Sequence, residues 1–263
     1  MIDRNYINQL EIDNRIIEKY SLNKILYFDI EVTSLNSKIG YIWSIALGYI
    51  EGNEFFIQQF LCEDLNEEKE LIEKAASFLK KYEAWATFNG KSLDEPYIFE
   101  KCSKYGIEIE PKEITYDLYR MLTPYSKSIG LEECSLKAFE NYIGIERKDH
   151  INGEASKDQY NIYLKNKDEN ILESILLHNC EDVLSLPYLF KIKDHIEKNH
   201  ISRSDLLSQG QKFKITNLMK KNGLNFKLDY SNISKRCAKR IIYSLNKNNL
   251  SKEEITTIIK ESY

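Results

Sequence analysis

Asp29 and Glu31 stand two residues apart in F-D-I-E-V-T-S-L, at the end of a short apolar run. Side chains alternate faces along a strand, so this spacing puts both carboxylates on one side. Two neighbouring acids in an apolar strand repel unless something neutralises them, and a divalent cation does so. A solvent-facing strand end would serve equally well. Asp94 lies in F-N-G-K-S-L-D-E-P-Y, where a strand gives way to a helix. Helix N-capping is the plain alternative there. His178 and Asp182, in H-N-C-E-D-V-L-S-L, are four apart and share one helix face. They are either a wet ion pair or part of a site. Four acids and one imidazole are the groups that hold hard cations and move a proton near neutral pH.

The elements that must position these groups are readable from periodicity. Residues 25–30 are a buried strand, and residues 39–50 and 54–60 are strands joined by the turn Glu51-Gly52-Asn53. Leu71, Ile72, Ala75, Phe78 and Leu79 recur at helical spacing and predict an amphipathic helix over 66–81. Residues 84–88 read as a strand broken by Asn89-Gly90. Pro96 fits a first helical turn, and Gly106 closes that helix. Residues 114–116 are a short strand, followed by short helices between 118 and 165. Asp117 between strand and helix reads as an N-cap or as a residue that supports the site from behind. One apolar stripe, Ile171 to Leu184, marks a long helix that Pro187 kinks or restarts. Strands first, then alternation, then helices predict an α/β fold, a mixed sheet flanked by helices. The expected organisation is a lead-in over 1–24, extended or helical, a main domain over 25–200 and a helical appendage over 201–263.

The 263 residues carry 42% hydrophobic and 30% charged side chains, which excludes a disordered chain. No run approaches the ~18 apolar residues of a membrane span, and the first residues lack an export pattern. Five cysteines without a C-x-x-C pair read as reduced thiols in a cytoplasmic protein. His150, His195 and His200 show no zinc-ligand spacing, and no G-x-x-x-x-G-K-S/T loop for nucleoside triphosphates is present. The net charge of −4 divides into −12 over residues 1–200 and +8 over 201–263. In the appendage, Lys235, Arg236, Lys239 and Arg240 run beside an apolar stripe of Ile233, Cys237, Ile241 and Leu245. That strip either holds a nucleic-acid backbone or is an ordinary solvated face. Ser251 to Glu254 is a capping box opening a last helix.

D-I-E-x-T-x-L, F-N-G-K-S-L-D-E-P-Y and H-N-C-E-D-V-L-S-L, in that order, resemble the three motifs of the DEDD (DnaQ-like) 3′–5′ exonuclease superfamily. The second motif is similar to that of family-B polymerase proofreading domains. The layout, with Cys134-Ser135-Leu136 and Tyr142-Ile143-Gly144, is similar to the YprB-type branch. The resemblance covers roughly residues 26–190. It implies a ribonuclease H-like fold with a mixed five-stranded sheet. The activity implied is metal-dependent 3′–5′ exonucleolytic hydrolysis of single-stranded DNA or RNA from 3′ ends. Asp29, Glu31, Asp94 and Asp182 match the acids that hold two divalent cations, Mg²⁺ or Mn²⁺. Thr33 and Leu35 match residues facing the terminal nucleotide, and Asn89 matches the polar residue of the second motif. The turn bearing Lys91 is placed to meet phosphate oxygens or to be solvated. His178 takes the place of the residue that accepts the proton of the attacking water or orients that water.

The sequence departs from the pattern at Ser34, where glycine is usual, and at His178. One subclass has tyrosine four residues before the last Asp and the other has histidine five before it. Here a histidine stands at the tyrosine spacing, so the subclass stays open. Two rivals follow: a weakly active or inactive nucleic-acid-binding module, and an endonuclease on the same fold.

Overall fold

The computed structural model describes residues 1–247 and 250–260. Its strands are β1 Ile2–Gln9, β2 Ile25–Val32, β3 Ile42–Glu51, β4 Glu54–Leu61, β5 Ala84–Thr87 and β6 Ile114–Asp117. Its helices are α1 Asn14–Tyr20, α2 Glu68–Lys81, α3 Asp94–Tyr105, α4 Leu118–Leu122, α5 Leu136–Tyr142, α6 Gly153–Asn166, α7 Glu169–Ser185, α8 Phe190–Lys198, α9 Gln209–Lys221, α10 Lys235–Lys247 and α11 Lys252–Lys260. Among the described residues no helix is long and apolar enough to cross a membrane.

The chain forms two compact units. The first holds Met1–Tyr119 and Glu133–Glu197, and the second holds Arg120–Glu132 together with the chain from Lys198 onward.

In the first unit one sheet runs in the order β1-β4-β3-β2-β5-β6. β1, β4, β3 and β2 pair antiparallel, whereas β5 and β6 add parallel to β2. The α/β class and the mixed sheet stand as expected. The sheet has six strands rather than five, because β1 comes from the segment read as a lead-in. Its residues follow the pattern of an edge strand with one face to solvent.

β2 is central and apolar, and its side chains divide between two faces. Leu26, Phe28 and Ile30 join the core under α2 and α3, with Leu71, Ile72, Trp85 and Ile98. The opposite face is packed by α6 and α7. There Trp43 stacks on Tyr160, with ring centroids 4.2 Å apart, beside Leu172, Ile175 and Leu176. Gly48 of β3 permits the approach of α7: a Cβ there would lie 2.7 Å from Val183 and 2.3 Å from the Phe55 ring. α7 is therefore held against the strand face that carries Asp29 and Glu31. Pro187 restarts the chain as a single 3₁₀ turn before α8, as its ring requires.

The loop from β2 to β3, residues 33–41, is tied from below. Thr33 bonds Tyr41 twice: its amide donates to the carbonyl at 2.9 Å, and its hydroxyl oxygen accepts from the amide at 2.9 Å. The Tyr97 hydroxyl donates to the Ser34 carbonyl at 2.6 Å, and Lys101 donates to the Gly40 carbonyl. A side chain at Gly40 would collide with the Tyr97 oxygen. Lys101 and Glu68 form a buried ion pair at 3.4 Å, and Glu68 also accepts from the Ile42 amide at 2.7 Å. We expect Tyr97→Phe to cost about 1 kcal/mol, the worth of one such hydrogen bond. Amide exchange over 34–41 should then speed up by roughly fivefold while the β2 amides stay protected. Unchanged exchange in the loop would mean that the hydroxyl does not secure it.

The second unit has its own core. Ile215 and Met219 of α9 meet Ile233, Cys237, Ile241 and Leu245, with Leu250 and Ile255 behind them. Every member of the predicted apolar stripe is buried. Lys235, Arg236 and Lys239 are exposed beside it, and Arg240 is half-buried. The capping box at Ser251 forms as expected: its amide donates to Glu254 at 2.7 Å, and its hydroxyl accepts from the Glu254 amide at 3.2 Å.

Candidate active site

Asp29 and Glu31 emerge from β2 opposite Ala46 and Ser44 of β3, and a bulge follows at Glu31 and Val32. Both carboxylates face α7. The α7 residue Asn179 is fully buried and works as a clamp. Its Nδ2 donates to Asp29 Oδ2 at 2.8 Å, while its Oδ1 accepts from Ser44 at 2.8 Å and from Gln59 at 3.0 Å. This fixes Asp29 to the helix and fixes the turn of α7 from which His178 and Asp182 project.

His178 is buried at the floor of a cleft of about 730 Å³ whose lining includes Asp29, Glu31, Leu35, Arg147 and Asp182. Its Nε2 lies 3.4 Å from Glu31 Oε1 and 3.7 Å from Asp182 Oδ2. One ligand atom from each of Glu31, His178 and Asp182 falls within 4.8 Å of the others. Asp29 adds a fourth group beside them.

Asp94 is differently placed. It is the first residue of α3 rather than its cap, and Leu93 occupies the cap position. The Asp94 carboxylate accepts from the Ile30 amide at 3.1 Å and so braces β2 between the two cluster acids. Thr33 closes the loop described above, and Leu35 stands exposed on the cleft wall. Asn89 and Lys91 do not line the cleft. Their amides both donate to Asp117, at 3.1 and 3.3 Å, which holds Asn89 in the left-handed conformation. Asp117 ties this turn across to β6.

Three further residues belong to the cluster and lay outside the sequence reading. Asp149 is buried and lies 2.8 Å from His178 Nδ1. Arg147 is 7% exposed and pairs with Asp182, with Glu140 at 2.8 Å and with Asp149 at 3.4 Å. Asn179 is the third. Asp149 and Arg147 sit in a charged loop about thirty residues before α7, with no periodic signal. Asn179 was visible only as the residue after His178.

The electrostatics are those of a site short of positive charge. Burial pushes the Asp29 carboxyl well above its ordinary range, and Asp182, Asp94 and Glu31 push it further. Burial does the same to Glu31, aided by Asp182, Asp94 and Asp149. Asp94 is pushed up to about 7, chiefly by burial, with the Ile30 amide opposing. A divalent cation would relieve all three at once, and the carboxylate-rich donor set suits a hard ion. The residues present therefore fit the group that the sequence pattern implies.

Residues 26–193 match a family model described as the RNase_H superfamily. No curated protein matches the sequence. Among solved structures, the chain is similar to the family B DNA polymerase from the hyperthermophilic archaeon Pyrobaculum calidifontis, with a TM-score of 0.50 and 18% identity over 65% of this chain and 24% of the polymerase. It is also similar to E. coli exonuclease I in complex with a dA16 oligonucleotide, with a TM-score of 0.40 and 10% identity over 57% of this chain and 45% of that one. The chain thus spans about a quarter of the polymerase and under half of exonuclease I. At these identities the likeness to the polymerase is one of fold.

Proposed function

The chain belongs to the RNase_H superfamily, and from that premise we propose that it is a metal-dependent 3′–5′ exonuclease acting on single-stranded DNA or RNA. The observation that carries this reading is the convergence of Glu31, His178 and Asp182 beside Asp29 at the floor of an open cleft. Divalent cations bound there, Mg²⁺ or Mn²⁺, would supply the positive charge that activates water and stabilises the departing 3′-oxygen. Asp29, Glu31 and Asp182 would hold them. Asp94, committed to the Ile30 amide, keeps the two β2 acids in register. Leu35, on the cleft wall, would pack against the terminal base, and the Thr33–Tyr41 bonds hold the base of that loop. Lys137 and Lys157 also line the cleft and are of the right charge for phosphate oxygens. The exposed basic residues of α10 add backbone affinity without sequence preference, so binding should weaken steeply with salt.

A second reading is favoured by the Arg147–Asp182 pair, which commits one oxygen of a cluster acid to a guanidinium. On that reading the chain is a nucleic-acid-binding module that turns over poorly.

The deciding experiment uses 5′-labelled single-stranded DNA and RNA with Mg²⁺, Mn²⁺ or EDTA, beside a circular oligonucleotide. The expected result is a ladder shortening from the 3′ end that needs a cation, with the circle intact. Cuts in the circle would replace the proposal with an endonuclease. Salt-sensitive binding without any cleavage would replace it with the binding module.

A further inference from the structure

His178 keeps its two ring nitrogens in different company. Nδ1 faces Asp149 Oδ2 at 2.8 Å. Asp149 is buried and its oxygens are used as acceptors. The Ile151 amide bond is 2.8 Å and Lys137 stands 3.6 Å away. A carboxyl group already facing an amide donor and an ammonium is an acceptor, so Nδ1 donates to it. That leaves Nε2 as the ring nitrogen free to offer a lone pair to a cation.

The side chain is only 6% exposed, and Nε2 is turned toward the cluster acids. It faces Glu31 at 3.4 Å and Asp182 at 3.7 Å. A cation placed between the three would draw a ligand atom from each. A carboxylate that fixes the far nitrogen of a ligating imidazole is the usual support of a histidine metal ligand.

We infer that Nε2 of His178 is itself a cation ligand, completing a mixed nitrogen–oxygen site with Glu31 and Asp182 and aimed by Asp149, in place of the proton-accepting role its sequence pattern implies. The inference rests on reading this cleft as a cation site. It has a consequence for ion choice. An all-carboxylate site suits Mg²⁺, whereas an imidazole ligand shifts preference toward transition ions such as Mn²⁺.

The test is pulsed electron paramagnetic resonance of Mn²⁺ bound to the full chain, read for ¹⁴N coupling from a directly bound imidazole. The coupling is expected in the wild type and should vanish in His178→Gln, which distinguishes His178 from the other three histidines. Asp149→Asn should weaken Mn²⁺ binding by roughly 10–100-fold, the usual effect of removing such a support. Mg²⁺ affinity should fall less than Mn²⁺ affinity in His178→Gln. Bound Mn²⁺ without nitrogen coupling in the wild type would overturn the inference, as would coupling that survives in His178→Gln. The wild-type spectrum decides even if the variants fail to fold. Cation-dependent cleavage without nitrogen coupling would sink this assignment and leave the proposed nuclease standing. Coupling without cleavage of any substrate would do the reverse.

Discussion

Asp29→Asn is expected to lower cleavage by roughly a thousandfold or more, several kcal/mol of lost cation-assisted stabilisation. The same change should raise the melting temperature in EDTA. Both effects come from one charge. Asp29 faces Asp182, Asp94 and Glu31 with only the Asn179 amide in support. Without a cation its negative charge is a liability to the fold. Asparagine keeps an oxygen for the Asn179 amide and discards the charge. Relief of about 1 kcal/mol corresponds to roughly 2–4 °C for a unit of this size.

The pH dependence follows in sign. A carboxyl whose folded pKa is raised binds its proton more tightly folded than unfolded. Its contribution therefore falls as pH rises from its unfolded value, near 4, toward its folded one. For Asp94 that window closes at about 7. In EDTA the wild type should lose stability across this window more steeply than Asp29→Asn, and saturating Mn²⁺ should flatten the difference. Undiminished cleavage by Asp29→Asn would remove Asp29 from the site. A lower melting temperature in EDTA would mean that the carboxylates are not in mutual repulsion.

Arg147→Met should destabilise the sheet-bearing unit by about 3–5 kcal/mol, because it strands buried carboxylates. Arg147 spans Asp182, Glu140 and Asp149, and the last two are nearly inaccessible. Glu140 is already pushed up by burial, with Arg147 opposing. Adding Glu140→Gln to Arg147→Met should recover part of the loss by removing the stranded charge. Arg147→Lys should recover little, since a point ammonium cannot span three carboxylates as a planar guanidinium does. Urea denaturation followed by tryptophan fluorescence isolates the effect, because Trp43 and Trp85, the two tryptophans, both lie in this unit. A loss below about 1 kcal/mol would place Arg147 among surface ion pairs of little worth.

The parts of this molecule that were readable in its sequence are those written in periodic apolar residues. β2, the β3–β4 hairpin, α2, α7 and the buried stripe of α10 all appear where the spacing puts them. β1 escaped because an edge strand needs few apolar residues, and its I-D-R-N-Y-I-N-Q buries little. The acids of the site were legible because carboxylates on an apolar strand or stripe are conspicuous. Asp149 and Arg147 were not, since R-K-D-H in a loop looks like any solvated turn. Their meaning comes from a long-range fold that carries residues 147–149 onto α7. Asp94 was legible as a position, but its hydrogen bond to the Ile30 amide was not, because such a bond leaves no mark on spacing.

The second unit draws on two stretches of chain. Pro124 accepts from the Ser204 amide at 2.8 Å and from the Ser204 hydroxyl at 2.9 Å, and Ser128 donates to the Ser202 carbonyl at 2.8 Å. During vectorial synthesis the earlier stretch is made well ahead of the one that receives it. At about 5–20 residues per second the delay is roughly 4–14 s. Over that interval residues 120–132 are an unclaimed segment within an otherwise assembling nascent chain. A fragment cut after residue 197 would make that state permanent.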